Sequence, residues 1–226
     1  MKVAVLFSGG KDSCLAMLKA MEKNEVVCLI SIVSKNPESY MFHVPNINIT
    51  KAQAEAIGLP SIQQETEGRK EEELNDLKKA MERAKKEYKI RGVVTGAIRS
   101  NYQASRIKKI CKELNLKTIN PLWGRDQIAL LNEIVEKKFT AIISGVFAYP
   151  LGRELHGKTI NKDIIKKLEE MQKKYEINPA GEGGEIETTV LDAPFFKKKI
   201  EVTESEVTYE KNSGVFKIKR IKLIKK

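Results

Sequence analysis

The start of the chain combines an apolar run with a glycine pair. Residues 3–7 are apolar, residues 8–13 read Ser-Gly-Gly-Lys-Asp-Ser, and helical spacing follows at once. A strand that breaks on two glycines into a helix begins a βα unit, which requires a sheet covered by helices. The glycines leave backbone N–H groups at the positive end of that helix, where phosphate oxygens bind. The alternative is a tight βα turn without a ligand.

The polar residues of this loop fit a phosphate chain. Lys11 supplies a positive charge, and the hydroxyls of Ser8 and Ser13 can donate hydrogen bonds. Asp12 would repel phosphate unless a cation lay between them, and Mg²⁺ combines one or two carboxylates with phosphate oxygens. The spacing is not that of the Walker loop, G-x-x-x-x-G-K-[ST]. The loop therefore predicts phosphate binding with Asp12 as the ligand of a magnesium ion.

Apolar strands alternate with helical segments through the first two thirds of the chain. Strands are predicted at residues 2–7, 26–34, 61–64, 92–97 and 139–146, and helices at 12–24, 50–58, 70–88, 101–114 and 126–137. This alternation predicts an α/β fold with a doubly wound parallel sheet. Ligands bind beyond the carboxyl ends of the strands of such a sheet. The segments after residues 7, 97 and 146 are therefore expected to line one crevice.

The pattern changes near residue 150. A helix is predicted at 161–176, and residues 188–191 and 201–224 are strand-like, with a hairpin turn at 212–214. We therefore expect a nucleotide-binding domain at 1–146 and a smaller C-terminal α+β region at 147–226.

Composition narrows the function classes. Hydrophobic residues make up 41% and charged residues 31% of 226 residues, with no apolar run of membrane-spanning length and no export signal. We expect a cytoplasmic protein whose separated Cys14, Cys28 and Cys111 are reduced and buried. The net charge of +11 would suit nucleic acid, but most lysines alternate with glutamates on helices, so no stable nucleic-acid complex is required. Abundant Lys, Glu and Ile resemble thermophilic proteins.

Residues 96–106 form a second candidate segment, which leaves a strand and enters a helix. Arg99 and Arg106 could bind phosphate oxygens in bidentate fashion. Gln103 and Arg106 lie three residues apart and share a helix face. An ordinary βα connection with exposed arginines is the alternative.

A third segment, residues 181–188, is dense in glycine and glutamate. Glu185 and Glu187 are expected on one side of a strand, with Glu182 just before it. Carboxylates held together are unfavourable unless they meet a metal or a cationic substrate. A mobile, solvated turn is the alternative.

The three segments together resemble the N-type ATP pyrophosphatase family, whose characterised members are diphthine–ammonia ligases. The matching residues are 8–13, 96–106 with Pro121-Leu122-Trp123 downstream, and 182–188 with Asp192-Ala193-Pro194. The first motif marks the superfamily, whereas E-G-G-E-x-E-T is specific to this family. Ile186 stands where the family often has tyrosine, and Leu155-His156-Gly157-Lys158 keeps the family's W-L-G-R pattern only in outline.

The resemblance implies an adenine nucleotide α-hydrolase-like fold and an activity. The enzyme would amidate diphthine on translation elongation factor 2 to diphthamide, using ammonia and ATP and releasing AMP and pyrophosphate through an acyl-adenylate. Catalytic roles are implied for Lys11, Asp12, Arg99 and Glu185. Cofactor contacts to ATP and Mg²⁺ are implied for Ser8, Gly9, Gly10, Lys11, Asp12, Ser13, Gly96 and Arg106. Substrate contacts are implied for Tyr40, His43, Ser100, Tyr102, Gln103, Glu182, Gly183, Gly184, Glu185, Glu187, Thr188 and Asp192.

Two other function classes share the first loop. A tRNA-modifying pyrophosphatase, of the thiolase or lysidine-synthetase type, is favoured by the basic charge, but thiolation usually needs reactive cysteines. The other class is a non-catalytic ATP-binding protein of the universal-stress type. Lys11, Asp12 and the glutamate motif argue against it, because such a protein would not need them. The oligomeric state stays open, a homo-oligomer included.

Overall fold

The computed structural model describes residues 1–36, 45–69 and 72–226. A five-stranded parallel sheet has the order β3-β2-β1-β4-β5. Its strands are β1 (Lys2–Leu6), β2 (Glu25–Ser34), β3 (Ser61–Thr66), β4 (Gly92–Val94) and β5 (Lys117–Ile119). The helices are α1 (Lys11–Met21), α2 (Thr50–Ile57), α3 (Glu72–Tyr88), α4 (Asn101–Glu113), α5 (Gln127–Glu136) and α6 (Lys162–Tyr175).

Helices cover both faces of this sheet. Alternate residues of β1 belong to different cores, because successive side chains of a strand point to opposite faces. Val3 and Val5 pack in one core with Leu15 of α1, whereas Ala4 packs in the other with Leu77 of α3. The predicted doubly wound α/β fold is therefore confirmed.

The strand order creates a crevice between β1 and β4. From β1 the chain proceeds outward through β2 and β3, and it then returns to the other side of β1 to form β4 and β5. The helices that follow β1 and β4 pack on opposite faces, so their connecting loops diverge at the carboxyl edge of the sheet. Ligands bind at such a switch point.

A second sheet contains the strand predicted as the last of the parallel sheet. Its order is β7-β6-β9-β8, with β6 (Thr140–Val146), β7 (Ile186–Asp192), β8 (Lys198–Glu210) and β9 (Ser213–Lys225). Strand β6 pairs antiparallel with β7 and β9, so placing residues 139–146 in the parallel sheet was wrong. A continuous apolar run indicates burial on both faces but not the direction of the neighbouring strands. The division into domains at residue 146 stays a prediction.

The rest of the C-terminal region follows the sequence pattern. The predicted hairpin is confirmed as β8 and β9, but its turn is at Lys211 and Asn212, with φ of 47° and 65°, and not at 212–214, because Ser213 and Gly214 already belong to β9. Strand β5 was not predicted, because three residues are too few to show a period. Across the described ranges, no helix combines the length and apolar character needed to cross a membrane.

Candidate functional site

A cleft of about 410 Å³ opens at the switch point between β1 and β4. The loops after these two strands form part of its wall, and the glycine–glutamate segment closes another part. Ten of the residues singled out in the sequence line this cleft: Ser8, Asp12, Ser13, Gly96, Ser100, Gln103, Glu182, Gly183, Gly184 and Glu187. All three candidate segments thus meet in one place, although the expected contribution from residues after 146 comes from the glycine–glutamate segment further along the chain.

The loop between β1 and α1, residues 8–13, is hereafter the phosphate loop. Gly9 has a φ of +77°, which favours glycine, and Gly10 is the extended N-cap of α1 without a side-chain cap. A Cβ on Gly96 would lie 2.8 Å from the backbone C of Asp12 and N of Ser13. The loop after β4 therefore packs directly on the helix N-terminus, and glycine is needed at position 96 for that approach.

Strand β7 of the second sheet and helix α2 hold the phosphate loop in place through hydrogen bonds. The Thr188 hydroxyl accepts a hydrogen bond from the backbone N–H of Lys11 at 3.1 Å, and the backbone N–H of Val190 donates to the Gly9 carbonyl at 2.9 Å. Gln53, which is fully buried, donates from Nε2 to the carbonyls of Gly9 at 2.9 Å and Val190 at 2.7 Å. Gln53 was not predicted, because the two carbonyls that its amide joins lie far from it in the chain.

Lys11 lies beneath the cleft and not in its wall. Its side chain is buried, and its Nζ donates to Asp12 Oδ2 at 2.9 Å and to the Ala180 carbonyl. Both acceptors of the ammonium are protein groups, and the predicted contact of Lys11 with phosphate stays a prediction. Lys11 joins the phosphate loop to the segment that precedes β7.

The three glutamates of the acidic segment have different environments. Glu182 Oε1 accepts from the backbone N–H of Arg99 at 2.8 Å, and burial raises the pKa of its carboxyl. Burial, helped by the negative charge of Asp12 and opposed by Lys11, raises the pKa of Glu187 to about 7. Glu182 and Glu187 both line the cleft. At neutral pH, the carboxyl of Glu187 can therefore either bind a cation or carry a proton.

Glu185 turns away from the cleft. Its Oε1 accepts from Asn178, at 3.2 Å from the backbone N–H and 2.7 Å from Nδ2. The expectation that Glu185 and Glu187 share one side of a strand was wrong, because β7 begins at Ile186. Gly181 and Gly184, at φ of +75° and +86°, bend the preceding residues into turns.

The remaining predicted residues are divided between the cleft and its surroundings. Ser100 caps α4 by accepting from the backbone N–H of Gln103 at 3.4 Å. The Arg106 guanidinium lies 3.5 Å from the centre of the Tyr102 ring, and neither side chain lines the cleft.

Three further predicted substrate contacts lie elsewhere. Asp192 is at the opposite end of β7 from the acidic segment, about 20 Å along the strand by its rise per residue. It pairs there with Lys226. Tyr40 and His43 lie outside the described residues.

The cleft also has an apolar part that was not predicted. Phe7, Ile30, Ile32, Leu77 and Ile107 line it, around the carboxyl ends of β1 and β2. Apolar walls beside a phosphate loop suit a planar base, because flat aromatic surfaces gain from leaving water. These residues appear in the sequence only as core positions, so their second role could not be read from periodicity.

The donor set around the phosphate loop fits Mg²⁺ carried by a nucleotide. Among the described residues, no group of three or more His, Cys, Asp or Glu side chains is arranged to hold a metal by itself. Magnesium needs only one or two carboxylates when phosphate oxygens supply other ligands. Asp12 lines the cleft, and its charge contributes to the raised pKa of Glu187. A cation between them would relieve that repulsion.

Comparison with known proteins gives matches along nearly the whole chain. Family models described as diphthamide synthase N-terminal domain and C-terminal domain match residues 1–118 and 126–224. The diphthine–ammonia ligase of Rattus norvegicus is 38% identical over 91% of this chain and 84% of its own length. That of Homo sapiens is 36% identical, over 92% of this chain and 85% of its own length.

Two solved structures are weakly similar. A predicted subunit of a tRNA methyltransferase from Methanocaldococcus jannaschii has a TM-score of 0.43 and 18% identity, covering 86% of this chain and 98% of its own. A tRNA thiolase from Methanococcus maripaludis has a TM-score of 0.39 and 18% identity, covering 81% of this chain and 70% of its own.

Proposed function

Because this chain belongs to the diphthamide synthase family, we propose that it is a diphthine–ammonia ligase. It converts the carboxylate of diphthine, on translation elongation factor 2 in the cytoplasm, into the amide of diphthamide. Ammonia supplies the nitrogen, and ATP is cleaved to AMP and pyrophosphate. The observation that carries this proposal is that the phosphate loop and the acidic segment line the same cleft.

ATP is required because a carboxylate does not condense with ammonia at neutral pH. A carboxylate oxygen of diphthine attacks the α-phosphorus of ATP, and the bond from that phosphorus to the bridging oxygen breaks, releasing pyrophosphate. Ammonia then attacks the carbonyl carbon of the acyl-adenylate, loses a proton, and AMP leaves with the bonding electron pair. The first step concentrates negative charge on pyrophosphate, so stabilising that charge lowers the barrier.

The residues of the cleft divide these tasks. The backbone N–H groups of the phosphate loop and the positive end of α1 bind the phosphates. The apolar part of the cleft receives the adenine ring. Asp12, with Glu187, would hold magnesium, which when bound supplies positive charge to the departing pyrophosphate. Glu182, which lines the cleft, would attract the trimethylammonium group of diphthine.

The proposal is tested by identifying the products. Purified protein is incubated with ATP, Mg²⁺, ammonium and elongation factor 2 that carries diphthine, and nucleotides are separated by chromatography while mass spectrometry follows the factor. We expect AMP, pyrophosphate and a conversion of carboxylate to amide. The Asp12→Ala variant should lose turnover on the order of 100-fold or more, as expected for a catalytic electrostatic group.

Bulk tRNA in place of the factor separates this function from its runner-up. The net charge of +11 is the observation that favours a tRNA substrate. AMP formation that depends on tRNA and not on the factor would replace the proposed function with tRNA modification. Accumulation of ADP and phosphate would exclude both.

A further inference from the structure

Glu185 belongs to the acidic motif, yet its hydrogen bonds lead away from the cleft. Its Oε1 accepts two hydrogen bonds from Asn178, one from the backbone and one from the side chain. Its Oε2 is buried without a hydrogen-bond partner among the described residues. Glu185 is not among the residues that line the cleft.

The side-chain amide of Asn178 connects Glu185 to helix α5. Asn178 Oδ1 accepts from Gln127 Nε2 at 2.9 Å, and Gln127 Oε1 accepts from the backbone N–H of Ala180 at 3.0 Å. Gln127 is buried at the first position of α5. Both amides have one donor and one acceptor engaged, so their orientations are fixed by the pattern of partners.

The last contacts reach the phosphate loop. The Ala180 carbonyl accepts from Lys11 Nζ, and the same ammonium donates to Asp12 Oδ2 at 2.9 Å. Lys11 is only 2% exposed, so its ammonium depends on these protein acceptors. The position of the Ala180 carbonyl therefore affects where Lys11, and with it the carboxylate of Asp12, is held.

We propose that Glu185 is a positioning residue, which acts through Asn178, Gln127, Ala180 and Lys11 on the carboxylate of Asp12. This chain of hydrogen bonds is hereafter the relay. The inference rests on the proposed function, in which Asp12 holds the magnesium of ATP. It gives Glu185 a role different from the direct substrate contact that the motif suggests, and it adds Gln127 and Asn178 to the residues on which catalysis depends.

Two substitutions of Glu185 separate positioning from contact. Glu185→Gln keeps an oxygen that can accept from Asn178, whereas Glu185→Ala removes the acceptor. A positioning role needs the acceptor, but attraction of a cationic substrate needs the charge. The relay therefore predicts that glutamine rescues most of what alanine loses.

The expected effects differ between kinetic constants. Glu185→Ala should lower kcat for AMP formation by about 10- to 100-fold, as expected when a catalytic group is misplaced by about 1 Å. The KM for the diphthine-bearing factor should change little, because no substrate contact is lost. Glu185→Gln should recover kcat to within about fivefold of wild type, since a neutral acceptor bonds roughly half as strongly as a charged one.

Calorimetric titration with ATP in the presence and absence of Mg²⁺ provides a readout other than activity. Glu185→Ala should weaken the magnesium-dependent part of ATP binding by about tenfold or more, and Gln127→Ala should do the same. The double variant should lose less than the product of the two single losses, because both residues act through one relay. Glu169→Ala, at an exposed carboxylate of α6 paired with Lys173, is the matched control. Thermal unfolding verifies that each variant is folded.

Several results would overturn the relay. Equal losses of kcat in Glu185→Gln and Glu185→Ala, together with a raised KM for the factor, would make Glu185 a substrate contact. Additive losses in the double variant, or single variants that match wild type, would show that the relay does not act on Asp12. If wild type forms no amide but the calorimetric pattern holds, the proposed function fails and the relay stands. Absence of magnesium-dependent ATP binding in wild type would exclude both.

Discussion

Glu187→Gln should stabilise the ligand-free protein at alkaline pH while impairing its activity. Burial raises the pKa of this carboxyl from the usual 4.5 to about 7, and Asp12 adds to the effect while Lys11 opposes it. The folded protein therefore holds the proton more tightly than the unfolded chain. This contribution to stability is fully present below pH 4.5 and is lost as the pH rises through about 7.

The size of the effect follows from the two pKa values. One pKa unit corresponds to about 1.4 kcal/mol, so the full loss is about 3 kcal/mol. By linkage, about 1 kcal/mol of this contribution is already lost at about pH 5.5 and nearly all of it at about pH 8.5. Glutamine does not titrate. The free energy of unfolding of the Glu187→Gln variant, minus that of wild type, should therefore rise by about 2 kcal/mol between these pH values.

Urea unfolding of both proteins at the two pH values, without ligands, measures this difference. Subtracting the free energy of unfolding of wild type from that of the variant cancels the contributions of all other titrating groups. Glu169→Gln, at an exposed carboxylate on α6, controls for the loss of one charge. A difference that is independent of pH, or that falls as the pH rises, would refute the reasoning. The variant should also form amide more slowly than wild type, because stability is gained by removing a charge that the site uses.

Two further predictions concern the loop contact and the nitrogen donor. Gly96→Ala should destabilise the protein by about 1–3 kcal/mol and weaken ATP binding, because the added Cβ would press on the backbone of Asp12. Gly124→Ala is the control, because a Cβ there would have no neighbour within 4 Å, although Gly124 has a positive φ. Unchanged ATP affinity would show that the two loops need not approach closely. Free ammonia, not glutamine, should be the donor: burial raises the thiol pKa of all three cysteines, in the case of Cys28 to about 12, so none is an activated nucleophile. Ammonium chloride should support amidation at a rate that rises with pH, and efficient use of glutamine in ammonia-free buffer would contradict this.

The parts of the site that depend on neighbouring residues were predictable. The glycine pair and the helix after it specify the phosphate loop, because backbone conformation and the helix N-terminus are local properties. Ser100 precedes a helical segment and caps it as N-cap residues do. The doubly wound sheet follows from alternation of strands and helices, which also depends on short windows of sequence.

The parts that depend on distant contacts were not predictable. Gln53 lies 44 residues from Gly9 and 137 from Val190 in the chain, so no local pattern signals that its amide joins their carbonyls. Glu185 was assigned to a strand by alternation with Glu187, but Gly184, two residues before β7 begins, has a positive φ, and Glu185 lies outside the strand. A period of two indicates a shared face only where the strand is continuous.

Strand β7 connects the two halves of the candidate site. Glu187 lines the cleft, while Thr188 and Val190, further along the same strand, hydrogen-bond the phosphate loop. These residues are neighbours on one strand, which pairs antiparallel with β6. A displacement of β7 that changes the acidic wall must therefore change the support of the phosphate loop as well. If ATP binds the phosphate loop and a cation meets Glu187, as proposed, we expect the shared strand to couple the two, and by linkage each would then alter the affinity for the other by the same factor.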